Sequence, residues 1–221
     1  MKNFYRKFQL ISRFPLWLNY IRWVYKKTID DCVSLGCKPI NKRGSFACLL
    51  CGVSGEITAN EYFKFVLGIN PKAKIWIIDL GKDQVKSVQK LVEDKYSQAD
   101  IKVMKANALS LSFIKSKSLD WIDIDGLFSF FDEKQLLELF QEWDRILKND
   151  GYITFRELTS HNPVSKNANI LRDKVSQIYM STKLHLHTLD ELIRIFEKLN
   201  FKHLRGRSPI PLLDRYCIVK N

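Results

Sequence analysis

The feature that most limits what this chain can become is its alternation of short apolar runs with longer amphipathic stretches. Phe46 to Cys51 has the length and content of a buried strand, Thr58 to Leu67 repeats apolar residues at helical spacing, and Lys74 to Ile78 is again a strand. Lys82 to Tyr96 sets Val85, Val88, Leu91 and Val92 on one helical face, and Ile101 to Met104 is a third strand. Trp121 to Ile124 and Tyr152 to Phe155 flank a predicted helix from Glu133 to Leu147, with Asp132 placed to cap it. Strands separated by helices need crossover connections, which dictates a mostly parallel sheet with helices on both faces. The end of the chain differs: a helix over Leu189 to Leu199, a strand over Phe201 to Arg205, a turn at Pro209 to Pro211 and a last strand over Arg215 to Val219. So short a link makes those two strands antiparallel neighbours.

With 221 residues the chain suits one core and an appendage. The appendage is expected over residues 1–44 and the core domain over 45–221, with the Pro, Asn and Gly run between Lys38 and Gly44 as the junction. Ten Lys or Arg against two Asp give residues 1–44 a charge of +8 out of the chain's +12. From Ser12 onward, Phe14, Trp17, Leu18, Ile21, Val24 and Tyr25 recur at helical spacing, so this segment reads as a basic amphipathic helix. Packing onto its own domain is the ordinary use of such a stripe; RNA or an anionic membrane surface is the partner its charge would attract. The apolar run Phe14 to Tyr25 is too short to cross a bilayer, no signal-peptide pattern opens the chain, and a cytoplasmic location is expected.

Five cysteines lack the spacing of a secreted disulfide framework, so none is expected to need a bond. Cys48 and Cys51 form a C-x-x-C, yet on a strand residues three apart point to opposite faces, which argues for two buried thiols and against a metal site.

In a sheet of this kind ligands bind at the carboxyl ends of the strands, where the strand order reverses. After the first strand comes Cys51-Gly52-Val53-Ser54-Gly55-Glu56, a glycine-containing turn that lets a ligand approach backbone N–H groups at a helix start. After the second comes Asp79, 24 residues past Gly55, a spacing that suits a carboxylate accepting from a ribose diol. Helix capping is the alternative use of Asp79.

From Phe46 to the C-terminus the chain resembles a class I S-adenosylmethionine-dependent methyltransferase. The resemblance rests on five motifs in order: Ser54-Gly55-Glu56, Ile78-Asp79-Leu80, Lys105-Ala106-Asn107-Ala108, Leu119 to Phe128, and Arg145 to Ile153, the last similar to the family's "R-x-L-K-P-G-G" turn. It implies a Rossmann-like α/β fold with a seven-stranded, mostly parallel sheet, an antiparallel last strand, helices on both faces and an N-terminal helical extension. It implies S-adenosyl-L-methionine as cofactor, with Cys51, Gly52, Ser54 and Gly55 near its methionine part and Asp79 on the ribose. Leu80 would pack on the adenine, Asn107 and Ala108 would meet its amino edge, and Asp125 would face the methyl-transfer region with Phe128 just beyond. Departures from the pattern are Leu49 for the usual acid, and Cys51 and Val53 for the first two glycines.

Methyl transfer needs alignment more than acid-base chemistry, so a general base is optional; His161, just past the fifth strand, is the candidate, with an ordinary loop residue as the alternative. His185 and His187 alternate as on a strand and are expected to pair with backbone or line a pocket rim. Acceptor choice is expected in the insertion Leu158 to Thr188, which carries neither an amino-methylating [DN]-P-P-[YFW] motif nor a Pro-Cys nucleophile. The expected activity is transfer to an O or N atom of a small or lipophilic acceptor. An RNA-modifying enzyme using the basic extension and a catalytically silent scaffold remain open, while a nicotinamide enzyme is disfavoured because G-x-G-x-x-G is absent.

Overall fold

The structure is a computed structural model describing residues 15–53, 55–160, 162–181, 183–210 and 213–221, with only the backbone at 125, 179 and 180. Ser12, Phe14 and Pro211 of the expected elements lie outside these residues. The elements run α1 (Pro15–Ser34), β1 (Ala47–Cys51), α2 (Glu56–Ile69), β2 (Lys74–Asp79), α3 (Lys82–Lys95), β3 (Ile101–Lys105) and β4 (Leu119–Asp125). A 3-10 turn at Phe128–Phe130 leads to α4 (Glu133–Ile146), β5 (Leu147–Glu157), α5 (Pro163–Met180), α6 (Leu189–Lys198), β6 (Phe201–Arg207) and β7 (Asp214–Lys220).

The strands form one seven-stranded sheet in the order β3-β2-β1-β4-β5-β7-β6. Pairs from β3 through β5 are parallel, and β7 runs antiparallel between β5 and β6. The expected parallel series and closing antiparallel pair are therefore both present. Because β1 is followed outward on one side by β2 and on the other by β4, the order reverses between β1 and β4. A crevice opens at their carboxyl ends, since connections leave on opposite faces there.

Period-two alternation divides the core into two layers. Leu49, Cys51, Ile122, Ile124, Ile153 and Phe155 face α4 and α6, meeting Leu136, Phe140, Trp143 and Phe196. Cys48, Leu50, Ile75, Ile77, Trp121 and Tyr152 face the other way, toward α1, α2 and α3. Cys48 and Cys51 thus lie in different layers, as strand geometry requires. Helix starts follow local chemistry: Asp132 accepts from Gln135 N at 2.8 Å and Gln135 returns the bond, a capping box at α4. Thr188 with Glu191 does the same at α6.

α1 packs on the sheet's second face. Tyr20, Ile21, Val24, Tyr25 and Cys32 are buried, each contributing about 1.5–3 kcal/mol for a large side chain. The Tyr25 ring meets Tyr62, Phe65 and Trp121, while Arg22 donates to Glu61 at 2.6 Å and Arg215 to Asp31 at 2.7 and 3.0 Å. Two features depart from the sequence reading. Cys32 and Cys37 are joined across the turn that ends α1, with their Cα atoms 5.3 Å apart, because the tightening chain folds back there. And the insertion after β5, to which no element was assigned, holds a helix: Pro163 at the first helical position and a box between Asn162 and Ser165 start the 18-residue α5.

Candidate functional site

The carboxyl edge of the sheet gathers the residues that the motifs single out. Cys51, 0% exposed, ends β1 in register with Ile78 on one side and Ile124 on the other. Gly52 turns the chain with φ of 76°, a conformation that an L side chain rarely adopts, and its N–H donates to Ile78 O at 2.9 Å. Val53 N–H then donates to Asp79 Oδ2 at 2.8 Å. Gly81 N–H donates to Asp79 Oδ1 at 2.6 Å, and Ala106 N–H to the Asp79 carbonyl at 3.1 Å. The Asp79 carboxylate at the end of β2 therefore ties the glycine turn to the start of α3, and its backbone carbonyl ties in the end of β3. Asp79 here serves a loop-ordering role.

Gly55 stands before α2 without a side-chain cap, so the first N–H groups of that helix have no side-chain acceptor from their cap residue. Leu80 follows Asp79 and is 60% exposed. Asn107 is exposed at the end of β3; its Oδ1 accepts from Leu109 N at 3.1 Å, and Ala108 behind it is buried. Asp125 ends β4, in register with Arg156, and Gly126 turns with φ of 65° next to open space. Ser54 and His161 lie outside the described residues. An adenosylmethionine-shaped ligand fits this edge: an exposed apolar side chain beside a half-exposed carboxylate, a helix start without a side-chain cap, and a glycine with nothing within 4 Å of where a Cβ would stand.

Several residues differ from their sequence reading. Phe128, expected just beyond the methyl-transfer region, is 1% exposed and packs at an angle against Phe140, Trp143 and Phe155, because the turn after Gly126 dives into the core. His185 and His187 are not on a strand. His187 is buried, with Nε2 3.1 Å from Phe128 O and 3.0 Å from Phe131 O, so a proton on that nitrogen serves both carbonyls and clamps the turn after β4. Backbone pairing, the alternative given for it, is what it does. Among the described residues no group of His, Cys, Asp or Glu could hold a metal ion.

The sequence reading missed a polar cluster at the end of β5. Glu157, 3% exposed, accepts from Arg172 Nη1 at 3.0 Å, and Arg172 Nη2 donates to Ser129 Oγ at 2.6 Å. These residues come from β5, α5 and the turn after β4, and no spacing could have paired them. The insertion also borders an open depression of about 630 Å³, lined by Ser160, Asn162, Lys166, Asn167, Ile170 and Leu186. Beneath the edge, Asp123 and Arg156 form a buried pair: Nη1 donates to the two carboxylate oxygens at 2.7 and 3.0 Å, and Thr154 Oγ1 donates to Oδ1 at 2.6 Å.

A sheet of this order, with its glycine turn and carboxylate at the reversal point, defines the class I methyltransferase fold. Solved structures agree on that fold. A mitomycin 7-O-methyltransferase, MmcR, superposes with a TM-score of 0.68 at 10% identity over 99% of this chain and 56% of its own. An S-adenosylmethionine-dependent methyltransferase from Aquifex aeolicus gives 0.63 at 15% identity, covering 97% of this chain and 98% of its own. An O-methyltransferase family protein from Burkholderia thailandensis gives 0.60 at 13% identity over 80% and 51%. No protein of curated function matches the chain by sequence. The model of the ubiE/COQ5 methyltransferase family matches residues 21–179, well over half of the chain, and the chain belongs to that family. It is a methyltransferase that uses S-adenosyl-L-methionine.

Proposed function

We propose that the enzyme methylates an O or N atom of a small or lipophilic acceptor, with residues 45–221 as the methyltransferase domain and 1–44 as an extension. The observation that carries the reading is the Asp79 carboxylate, bonded at once to Val53 N and Gly81 N at the sheet's reversal point. In this reading Asp79 holds the ribose hydroxyls, Leu80 backs the adenine, and Asn107 and Ala108 meet its amino edge. Cys51, Gly52, Ser54 and Gly55 border the methionine part, whose carboxylate meets the start of α2. The cofactor supplies an electrophilic methyl group on a sulfonium. The chain's own work is to align the acceptor in line with it and to keep water away.

Asp125 and the open backbone at Gly126 border the transfer region, and the Glu157–Arg172–Ser129 cluster walls its far side. The depression lined by Ser160 and Asn162 supports a compact acceptor, and His161 is the base to test where the acceptor's proton is held tightly. Calorimetric titration with S-adenosylmethionine tests the reading. Asp79→Ala removes the ribose acceptor and loosens the turn, and is expected to weaken binding about tenfold to a hundredfold. Undiminished affinity in that variant, in a protein that still unfolds cooperatively, overturns the assignment.

A further inference from the structure

Helix α5 is built inside out. Ser165, Asn169 and Ser176 turn into the protein and are buried, while Arg172 reaches inward to Glu157 and Ser129. On the opposite side Val164, Leu171, Val175 and Ile178 stand 65%, 64%, 40% and 75% exposed. Steps of seven, four and three residues align these four into one stripe, about 20 Å long at the rise of an α-helix. A helix on a water-facing surface does the reverse, directing its apolar stripe to the core. A continuous apolar strip left outside marks a contact.

The charges around the stripe identify what it contacts. Lys174 is exposed on α5 at the flank of the stripe, three residues past Leu171, and Lys183 is exposed just past the helix end. Asp173, the one acid of the helix, is held locally: its Oδ1 accepts from Leu184 N at 2.7 Å and its Oδ2 from Gln177 Nε2 at 2.8 Å. A second copy docked on this face would set lysines against lysines, and like charges across an interface oppose association. A strip one helix wide is also narrow beside the roughly 800 Å² per partner of a stable protein interface. An anionic bilayer meets both conditions, taking the apolar side chains at the acyl boundary and the ammonium groups at the phosphates. Since no described helix is long and apolar enough to cross a membrane, the contact is with the surface.

We propose that the outward face of α5, through Val164, Leu171, Val175 and Ile178 with Lys174 beside them and Lys183 past the helix end, docks this protein on an anionic lipid surface, the helix lying in the membrane plane. The full chain is sedimented with vesicles of equimolar phosphatidylcholine and phosphatidylserine, and with phosphatidylcholine alone. Binding is expected to the mixed vesicles, at least about tenfold weaker to the neutral ones, and to fall with added salt. Leu171→Glu with Ile178→Glu is expected to weaken binding about a hundredfold, and Lys174→Glu with Lys183→Glu about tenfold. Both pairs are exposed, so circular dichroism and thermal unfolding should match the parent. The proposal is overturned if the parent ignores both vesicles, or if Leu171→Glu with Ile178→Glu binds as well as the parent, which puts the contact elsewhere on this basic chain. It is equally overturned if the parent is a dimer by analytical ultracentrifugation and that double variant is a monomer, for the stripe is then an interface between copies.

Discussion

Replacing Arg156 by Met tests whether the buried ion pair under the carboxyl edge holds the sheet together there. Asp123 has a side chain 0% exposed and Arg156 one 5% exposed, so neither charge is served by bulk water. Around them Thr154 donates to Asp123 at 2.6 Å, Trp121 Nε1 donates to Thr154 Oγ1 at 2.7 Å, and the guanidinium lies 5.8 Å from the Tyr25 ring centre. The pair thus joins β4, β5 and α1 in one network. Met fills a similar volume but leaves the Asp123 carboxylate buried without its guanidinium. Breaking a buried pair in this way costs about 3–5 kcal/mol. At about 2–4 °C per kcal/mol for a domain of this size, the melting temperature should fall by roughly 10 °C. Urea unfolding followed by tryptophan fluorescence gives the free energy, and calorimetry gives the shift. Asp123→Leu combined with Arg156→Met should recover most of the loss, because an apolar pair needs no countercharge. A loss under about 1 kcal/mol in the single variant, or a double variant no more stable than the single, would refute the reasoning.

Two further outcomes follow from the same geometry. Burial pushes the Cys48 thiol up to about 12 and raises Cys51 and Cys217 as well, all three 0% exposed, so at pH 8 the native protein should leave them unlabelled by maleimide and the unfolded protein should not. Rapid native labelling at Cys51 would show that the end of β1 opens. For Glu61, burial alone would raise the carboxyl, but hydrogen bonds from Arg22 and Lys64 outweigh it and hold it below its ordinary 4.5; Arg145 likewise lowers Glu142. A lowered folded value means stability present above that pH and lost as the carboxyl protonates. Urea midpoints should therefore drop as pH falls below about 4.5, and Glu61→Gln should flatten that slope. An unchanged slope would mean that the Arg22–Glu61 pair contributes nothing to holding α1.

Much of the fold was legible because its signals are local. The continuous apolar run Phe46 to Cys51, the helical spacing of Val85, Val88 and Leu91, and Asp132 three residues before Gln135 each fix an element through local sequence. The glycine turn and Asp79 were legible for a related reason: a strand end followed by a ligand-facing turn leaves its mark within a few residues. α5 was harder to see, since its apolar residues form a stripe that faces outward and its buried residues are Ser, Asn and Arg. Periodicity reads as a helix only when one assumes which side is wet. Phe128 was misplaced because its neighbour Gly126 sits at the edge while the turn itself leads inward.

By itself, the sequence determined the order of the strands and of the helices other than α5, the parallel and antiparallel halves of the sheet, and the turns at the carboxyl ends of β1 and β2. Backbone propensity and period-two or period-3.6 burial act over a few residues, so they are written in consecutive ones. Only the tertiary structure decided which charges meet: Asp123 with Arg156, Arg215 with Asp31, Glu157 with Arg172, His187 with the carbonyls of Phe128 and Phe131. Such pairs depend on distances between elements far apart in the chain, and those distances exist only after the sheet has closed its order.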